Sequence, residues 1–281
     1  MSALGLGLGL SLGGRRVGDA GNMPAKFTIA AGSVDDGIKR INFSETITVT
    51  ITGDVTADFG DGQGELTAGT HTVSDALDYW TLKITGGTGG GTITFGKRKQ
   101  ITYLYLAYLN SLVITGDITG MKLTTLYLRS LGSSVITGDI TGMKLTYLLL
   151  YDLGSSTITG DITGMKLTYL YLRDIGSSLT YGTNLLNITD ALGIQLLGDT
   201  VFATAEEYER LIIDAAAATW SHATTRPFRI DAGTKDTDPG WENIKSHIAV
   251  LLDKASSIII PSAWLSANGG SWPSTWNEYE G

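Results

Sequence analysis

Apolar residues recur with a fixed period through the middle of the chain. Three near-identical blocks begin at Ile114, Ile136 and Ile158, a spacing of 22, and share the pattern I-T-G-D-I-T-G-M-K-L-T-x-L-x-L. A half-block precedes them at residues 101–109. A degenerate copy of the repeat follows the three blocks, with three residues in the same register: Leu192, Ile194 and Leu197. A repeat of this regularity predicts stacked structural units rather than an irregular domain.

The core of each block, L-x-x-L-x-L at a spacing of 22, resembles a leucine-rich repeat. The resemblance implies that each block supplies one short parallel strand and a return arm. Neither part can bury its apolar edge alone, so the blocks stack into a right-handed solenoid over residues 97–200. We expect the strands near residues 102–106, 124–128, 146–150, 168–172 and 190–194.

The segment before the repeats, residues 26–96, is predicted to be rich in strands. Alternating β-branched residues run through Glu45–Thr52, and the sequence D-F-G-D-G at residues 58–62 is typical of a tight turn. The order F-G-D-G, H-T-V and Y-W-T-L-K-I resembles a PKD-type, Ig-like β-sandwich, with Phe59 where that family usually has Trp. A sandwich of this kind directly before leucine-rich repeats resembles surface and phage adhesion proteins of gut bacteria.

The segment after the repeats, residues 201–262, changes to helical spacing. Thr204 and Glu207 form a capping box, and Asp238 with Pro239 predicts a second helix start. Strands are predicted at residues 226–231 and 257–260. The predicted fold class is therefore mainly β with an α/β C-terminal part, which caps the open end of the solenoid. A Trp-rich tail, residues 263–281, follows.

Residues 1–25 begin with alternating Leu and Gly, and the leucines are Leu4, Leu6, Leu8 and Leu10. An extended chain places all four on one side, which predicts an anchoring peptide that docks on a partner through residues 1–16. A flexible Gly-rich tail is the competing interpretation. Because Arg15 and Arg16 follow the apolar stretch instead of preceding it, we expect no secretory signal.

Charge and composition exclude several classes of function. The formal net charge is −8 and basic residues form no block, which argues against nucleic-acid binding. No apolar run is long enough to span a membrane. The chain has no Cys and three dispersed His, and lacks the common catalytic motifs, so we expect no enzyme activity, no cofactor and no metal. A calcium site at Asp58, Asp61 and Glu65 is the alternative to a plain turn.

Charged residues also follow the repeat. The aspartates are Asp117, Asp139 and Asp161, and the lysines are Lys122, Lys144 and Lys166. If equivalent residues stand opposite one another, like charges lie about 4.8 Å apart. We expect solvent screening with partial pairing of the two rows, and a cation on the Asp row is the alternative.

Tyrosines occupy the positions between the inward-facing leucines, so they are predicted to line the outer face of the sheet. The predicted binding residues are Tyr103, Tyr105, Tyr127, Arg129, Tyr147, Tyr151, Tyr169, Tyr171 and Arg173. Tyr and Arg are enriched at interface hot spots, which favours a contact surface for a protein or a glycan. The alternative is ring stacking that only stiffens the sheet.

These features predict a non-enzymatic structural or adhesion protein of a bacteriophage particle, acting as a fibre, decoration or receptor-binding subunit. Its expected location is the virion. Its expected partners are other virion proteins and a host-surface glycan or protein, in a homo-oligomer or a larger assembly. A bacterial cell-surface adhesin is the alternative. A polysaccharide-cleaving enzyme is a third possibility that requires Asp152 and Asp174 to meet as a carboxylate pair.

Overall fold

The computed structural model places the described part of the chain in two β-sheets and two helices around a shared core. The described residues are 23–75, 82–163, 165–175, 179–181, 193–197, 202–218, 220, 227–230, 238–252, 254 and 257–259. The predicted docking leucines at positions 4, 6, 8 and 10 and the Trp-rich tail lie outside the described residues.

The chain forms sixteen described strands. They are β1 (Ala25–Ile29), β2 (Ile38–Phe43), β3 (Ile47–Asp58), β4 (Gly69–Val73), β5 (Lys83–Phe95), β6 (Ile101–Ala107), β7 (Ile114–Asp117), β8 (Thr125–Arg129), β9 (Val135–Asp139), β10 (Tyr147–Tyr151), β11 (Thr157–Asp161), β12 (Tyr169–Arg173), β13 (Leu179–Thr180), β14 (Gly193–Leu197), β15 (Pro227–Ile230) and β16 (Ser257–Ile259). The described helices are α1 (Ala205–Ala217) and α2 (Trp241–Leu252).

Two eight-stranded sheets result, and each takes one strand from every repeat turn. The ITGD sheet has the order β13-β11-β9-β7-β1-β5-β3-β4, and the tyrosine sheet has the order β16-β15-β14-β12-β10-β8-β6-β2. The mainly-β class and the solenoid of stacked parallel strands are confirmed. The prediction of one strand per turn was wrong, because the return arm of each repeat turn is also a strand. Its I-T-G-D sequence buries alternate residues such as Ile136, the pattern of a half-buried strand.

The central strands of the tyrosine sheet pair in parallel with equivalent residues opposite one another. Leu126 pairs with Leu148, and Leu148 pairs with Leu170. All three are buried. The next strand corrects the predicted register, because Leu170 lies opposite Ile194 rather than Leu192. A shift of two residues keeps the same side chains facing inward, whereas a shift of one would expose them.

The strands before the repeats extend both sheets. β1 pairs antiparallel with β7 of the first repeat turn, and β2 pairs antiparallel with β6. Four buried phenylalanines pack between the two sheets at this end, with Phe95 in contact with the other three: Phe27, Phe43 and Phe59. The buried residues of this segment and of the repeats belong to one hydrophobic core.

The strands after the repeats continue the tyrosine sheet. β15 pairs in parallel with β14, and β16 pairs in parallel with β15. The predicted capping box begins α1, where the Thr204 hydroxyl accepts from the Glu207 backbone N–H and the Glu207 carboxylate accepts from the Thr204 N–H. The two helices replace, in chain order, the return strands of the earlier turns, and their apolar sides join the same core.

Buried serines connect successive turns at the corners. The Ser134 hydroxyl accepts from the Ile114 N–H at 3.0 Å and donates to the Leu112 carbonyl at 3.1 Å. Ser156 repeats this arrangement one turn later, with the Ile136 N–H and the Ser134 carbonyl. These bonds satisfy backbone groups that the corner removes from the strand ladders, which a buried position requires.

Candidate functional site

All nine predicted binding residues lie on the outward side of the tyrosine sheet, on β6, β8, β10 and β12. The inward residues between them are buried leucines, such as Leu126 and Leu128, so the alternation of the strand fixes this orientation. Three rows cross the strands. They contain Tyr103, Thr125, Tyr147 and Tyr169, then Tyr105, Tyr127, Leu149 and Tyr171, and finally Ala107, Arg129, Tyr151 and Arg173.

The tyrosine rings stack on one another across neighbouring strands. The ring centroids of Tyr105 and Tyr127 are 3.8 Å apart with an interplanar angle of 15°. Those of Tyr147 and Tyr169 are 4.6 Å apart, also at 15°. Tyr127 and Tyr147 are 6.3 Å apart at 16° and continue the series. Ring faces are therefore turned toward neighbouring rings.

Arginine and tyrosine alternate along the third row. The Arg129 guanidinium lies 4.8 Å from the ring centroid of Tyr108 and 5.1 Å from that of Tyr151. The Arg173 guanidinium lies 4.8 Å from the Tyr151 ring on the other side. These distances fall within the range of cation–π attraction. Contacts with one another thus hold four side chains in place: Tyr108 at the corner after β6, and Arg129, Tyr151 and Arg173 in the third row.

Polar contacts between neighbours reinforce this order. Burial and a hydrogen bond with Tyr127 raise the pKa of Tyr105, which keeps the phenol neutral. A hydrogen bond with Tyr127 raises the pKa of Arg129, and one with Tyr171 raises the pKa of Arg173. The face thus carries charged guanidinium groups at Arg129 and Arg173 beside the neutral phenol of Tyr105.

Sequence reasoning missed three residues of this face. Arg40 comes from β2, opposite Tyr105, and its guanidinium lies 5.3 Å from the Tyr103 ring centroid. Arg229 comes from β15, opposite Gln195. Neither lies in the repeat, and nothing in the sequence indicates which strands pair with it. Tyr108 does carry a signal, because it stands one repeat period before Ser130 and so occupies the same corner of its turn.

Four equivalent corner positions adopt the left-handed backbone conformation. They are Tyr108, Ser130, Asp152 and Asp174, with φ between 47° and 60°. Asp tolerates this conformation better than most residues. Asp152 and Asp174 therefore have a backbone role at the ends of β10 and β12, and Asp174 also pairs with Arg173 at 3.2 Å. This backbone role explains the two aspartates without a catalytic carboxylate pair.

The aspartates of the ITGD sheet are not aligned as expected. Partners in this sheet are offset by two positions from the equivalent residue, so Asp117 lies opposite Thr137 and Asp139 lies opposite Thr159. This stagger places neighbouring aspartates about 8 Å apart instead of about 4.8 Å. Each carboxylate accepts from the backbone N–H two residues later, as in Asp139 to Thr141 at 2.8 Å. Arg98 pairs with Asp117 at 2.9 Å, whereas the three repeat lysines form no ion pair in the described part of the chain.

Asp58 and Asp61 also serve a turn. Asp58 accepts from the Gly60 N–H at 2.8 Å, and Asp61 accepts from the Ser74 N–H at 3.2 Å. Among the described residues, no group of three or more His, Asp or Glu side chains is arranged to hold a metal ion.

Comparisons with known proteins do not identify a relative of this chain. No protein-family model, curated protein or solved structure matches the chain. The two helices that the structure describes are both too short to cross a membrane. The face itself is therefore the main guide to function.

Proposed function

We propose that this chain is a non-enzymatic adhesion protein of a bacteriophage particle, a fibre, decoration or receptor-binding subunit that presents the tyrosine sheet to a host-surface ligand. The observation that carries the proposal is the continuous outward face of seven Tyr on β6 to β12, flanked by Arg40, Arg129 and Arg173. Large contiguous apolar patches on protein surfaces are usually interaction sites.

The order of the side chains supports binding. Stacked rings and guanidinium groups held between rings lose little further conformational freedom when a ligand arrives. Immobilising a free side chain at an interface costs about 0.5–1.5 kcal/mol. A pre-ordered face of Tyr and Arg avoids much of this cost, and these are the residue types that contribute most to binding energy.

The continuous core supports a projecting role. The strands before the repeats, the repeat turns and the α/β turns share one core, so the face has a stiff base along its length. We propose that residues 1–16 attach this rod to other virion proteins, in a homo-oligomer or larger assembly. An extended segment with Leu on one side and Gly between suits close docking on a partner.

We also propose a finer assignment of the fold. The solenoid turns are leucine-rich repeats, and residues 26–96 are a PKD-like sandwich fused to them. Two observations support this view. The leucines of L-x-L face the core, and Phe59 is buried directly before the Gly60–Gly62 turn, where the PKD-type pattern usually has Trp.

The test first locates the protein and then removes tyrosines from the outward face of the tyrosine sheet. Antibodies against the full chain are used on purified particles and on envelope fractions of the bacteria that produce them. We expect the protein in the particle. Tyr147→Ala with Tyr171→Ala should still be incorporated but should reduce adsorption to host cells, while Thr137→Ala on the opposite sheet should change neither.

Other outcomes overturn the proposal. Detection in the bacterial envelope and not in the particle would favour the cell-surface adhesin. Normal adsorption of the double Tyr variant would show that the face is not the contact surface. Particles that lack the protein altogether would contradict the virion role.

A further inference from the structure

The tyrosine sheet carries positive charge in a chain whose net charge is −8. Four of the nine arginines of the chain occupy its outward strand positions: Arg40, Arg129, Arg173 and Arg229. The outward strand positions that the structure describes on this sheet contain no Asp or Glu. Among the described residues, Asp152 and Asp174 occupy corners at the rim of this sheet, and Asp75 contacts Asn42 there.

The exposed parts of the tyrosines are limited by their stacking. One face of Tyr105 and one face of Tyr127 are covered by each other at 3.8 Å. The Tyr151 ring lies between two guanidinium groups. The rings are half-buried, so part of each remains exposed. Because neighbours cover their faces, the exposed parts are mainly ring edges and hydroxyl groups. The chemistry left for a ligand is that of phenol hydroxyls and guanidinium donors.

The guanidinium groups are spaced along the sheet. Arg129 and Arg173 occupy the same row two strands apart, which corresponds to about 9.6 Å. Arg40 continues the cationic positions toward one end of the sheet and Arg229 toward the other. A linear polymer lying across the strands meets a positive group at intervals, whereas one compact ligand meets only one or two.

From this arrangement we propose that the ligand is an acidic polysaccharide that lies across the strands. Its carboxylates pair with Arg40, Arg129 and Arg173, and its hydroxyls bond to the tyrosine hydroxyls. Guanidinium groups bind carboxylates through two parallel hydrogen bonds. The proposal rests on the proposed adhesion function and specifies the ligand of the same face.

One observation separates this ligand from a single-stranded nucleic acid. Proteins that bind single strands stack bases on open aromatic faces. Here neighbouring rings and guanidinium groups cover many of those faces. Arg173 is also available, because its pair with Asp174 is solvent-exposed on both sides, at 43% and 43%. An exposed pair of this kind contributes little and is readily exchanged for a ligand carboxylate.

The experiment is affinity electrophoresis of the full chain through gels that contain one polymer each. The acidic polymers are polygalacturonate, polymannuronate, hyaluronate and polysialic acid, and their methyl-esterified forms are the uncharged controls. We expect retardation by at least one acidic polymer and none by its ester. Arg173→Gln should weaken binding about tenfold, and Arg129→Gln with Arg173→Gln should weaken it further. Arg210→Gln, on helix α1, changes the charge equally and should have no effect.

Thermal melts of each variant separate lost binding from lost folding. Because Arg129 packs between two rings and Arg40 has a buried guanidinium nitrogen, Arg173→Gln serves as the variant least tied to the fold. No retardation by any of the four acidic polymers overturns the proposal. So does equal retardation by the esters, equal weakening in Arg210→Gln, or tighter binding to an oligothymidylate through the same arginines. Virion location and cell adsorption are unaffected by any of these results, so this inference and the proposed function fail separately.

Discussion

The same sequence repeat builds two sheets with different registers. In the tyrosine sheet, equivalent residues lie directly opposite, such as Leu148 and Leu170. In the ITGD sheet, partners are offset by two positions, and Gly116 lies opposite Ile136. The first arrangement places equivalent positions of the repeat opposite one another, and the second places Ile opposite Gly and Asp opposite Thr.

The composition of each strand explains the difference. Tyrosine rings gain from stacking on identical neighbours, and leucines pack well on leucines. In I-T-G-D-I, inward Ile alternates with inward Gly. A stagger of two residues sets an Ile opposite Gly116 and Gly138 and also separates the aspartates. A Cβ on Gly138 would lie 2.5 Å from Cγ1 of Ile118, so the neighbouring turn fills the space that Gly leaves. Register is therefore a property of each sheet and not of the repeat length alone.

The largest effect is expected in the in-register core. Leu148→Ala removes a side chain that is 0% exposed and should lower the free energy of unfolding by about 2–5 kcal/mol. Denaturant unfolding measures this change. A loss below that of the exposed Asp139→Ala would show that the inward and outward faces have been assigned the wrong way round.

The staggered packing is tested by Gly138→Ala. The added methyl meets Cγ1 of Ile118, and an overpacked core loses about 1–3 kcal/mol. Ile118→Ala opens the space, so the double variant should be more stable than the sum of the two single changes predicts. Strict additivity in this double-mutant cycle would contradict the contact between Gly and Ile.

The ion pair between Arg98 and Asp117, at the end of strand β7, predicts a pH dependence. Burial alone would raise the pKa of Asp117, but hydrogen bonds from Arg98 and Thr119 outweigh it and hold the pKa below its ordinary value. A carboxylate of this kind stabilises the fold above its unfolded pKa, and the stabilisation is lost as the pH falls through the folded value. The stability difference between the wild type and Asp117→Asn should therefore be constant near neutral pH and shrink below about pH 4. Arg98→Gln should weaken this dependence, and a difference that grows in acid would contradict the assignment.

The smallest effect is expected at Asp139. Its carboxylate is exposed and bonds to the Thr141 N–H, so Asp139→Ala should cost less than about 1 kcal/mol. Calcium added to the wild type should leave the melting temperature unchanged. A calcium-dependent rise that Asp139→Ala removes would reveal a cation on this row and would overturn the view that the aspartates serve turns.

Much of the fold follows from periodicity. The regular spacing of the blocks predicted the parallel strands at Leu126, Leu148 and Leu170, and strand alternation predicted which side the tyrosines face. Both features depend only on local geometry and on repetition. The capping box at Thr204 is equally local and was predicted as well.

What depends on pairing between distant segments could not be read in the same way. The stagger of the ITGD sheet depends on Ile side chains filling the gaps at Gly in the next turn, and a sequence shows both residues without showing that they meet. Arg40 reaches the face because β2 pairs with β6. Three other strands, β3, β4 and β5, lie between these two in the chain. The shift at Ile194 is also a matter of pairing, because β14 meets β12 two residues away from the register of the repeat.

The near-identity of the blocks also bears on how the protein can evolve. Both sheets can accept a further turn between β8 and β12. Each strand in this region already pairs with the equivalent strand of the next turn, in register in the tyrosine sheet and offset by two residues in the ITGD sheet. Unequal recombination between the blocks would therefore insert or delete whole turns while leaving the two ends intact. Each insertion would lengthen the tyrosine sheet by one strand, about 4.8 Å, so a gene of this kind can change the length of its product in single steps.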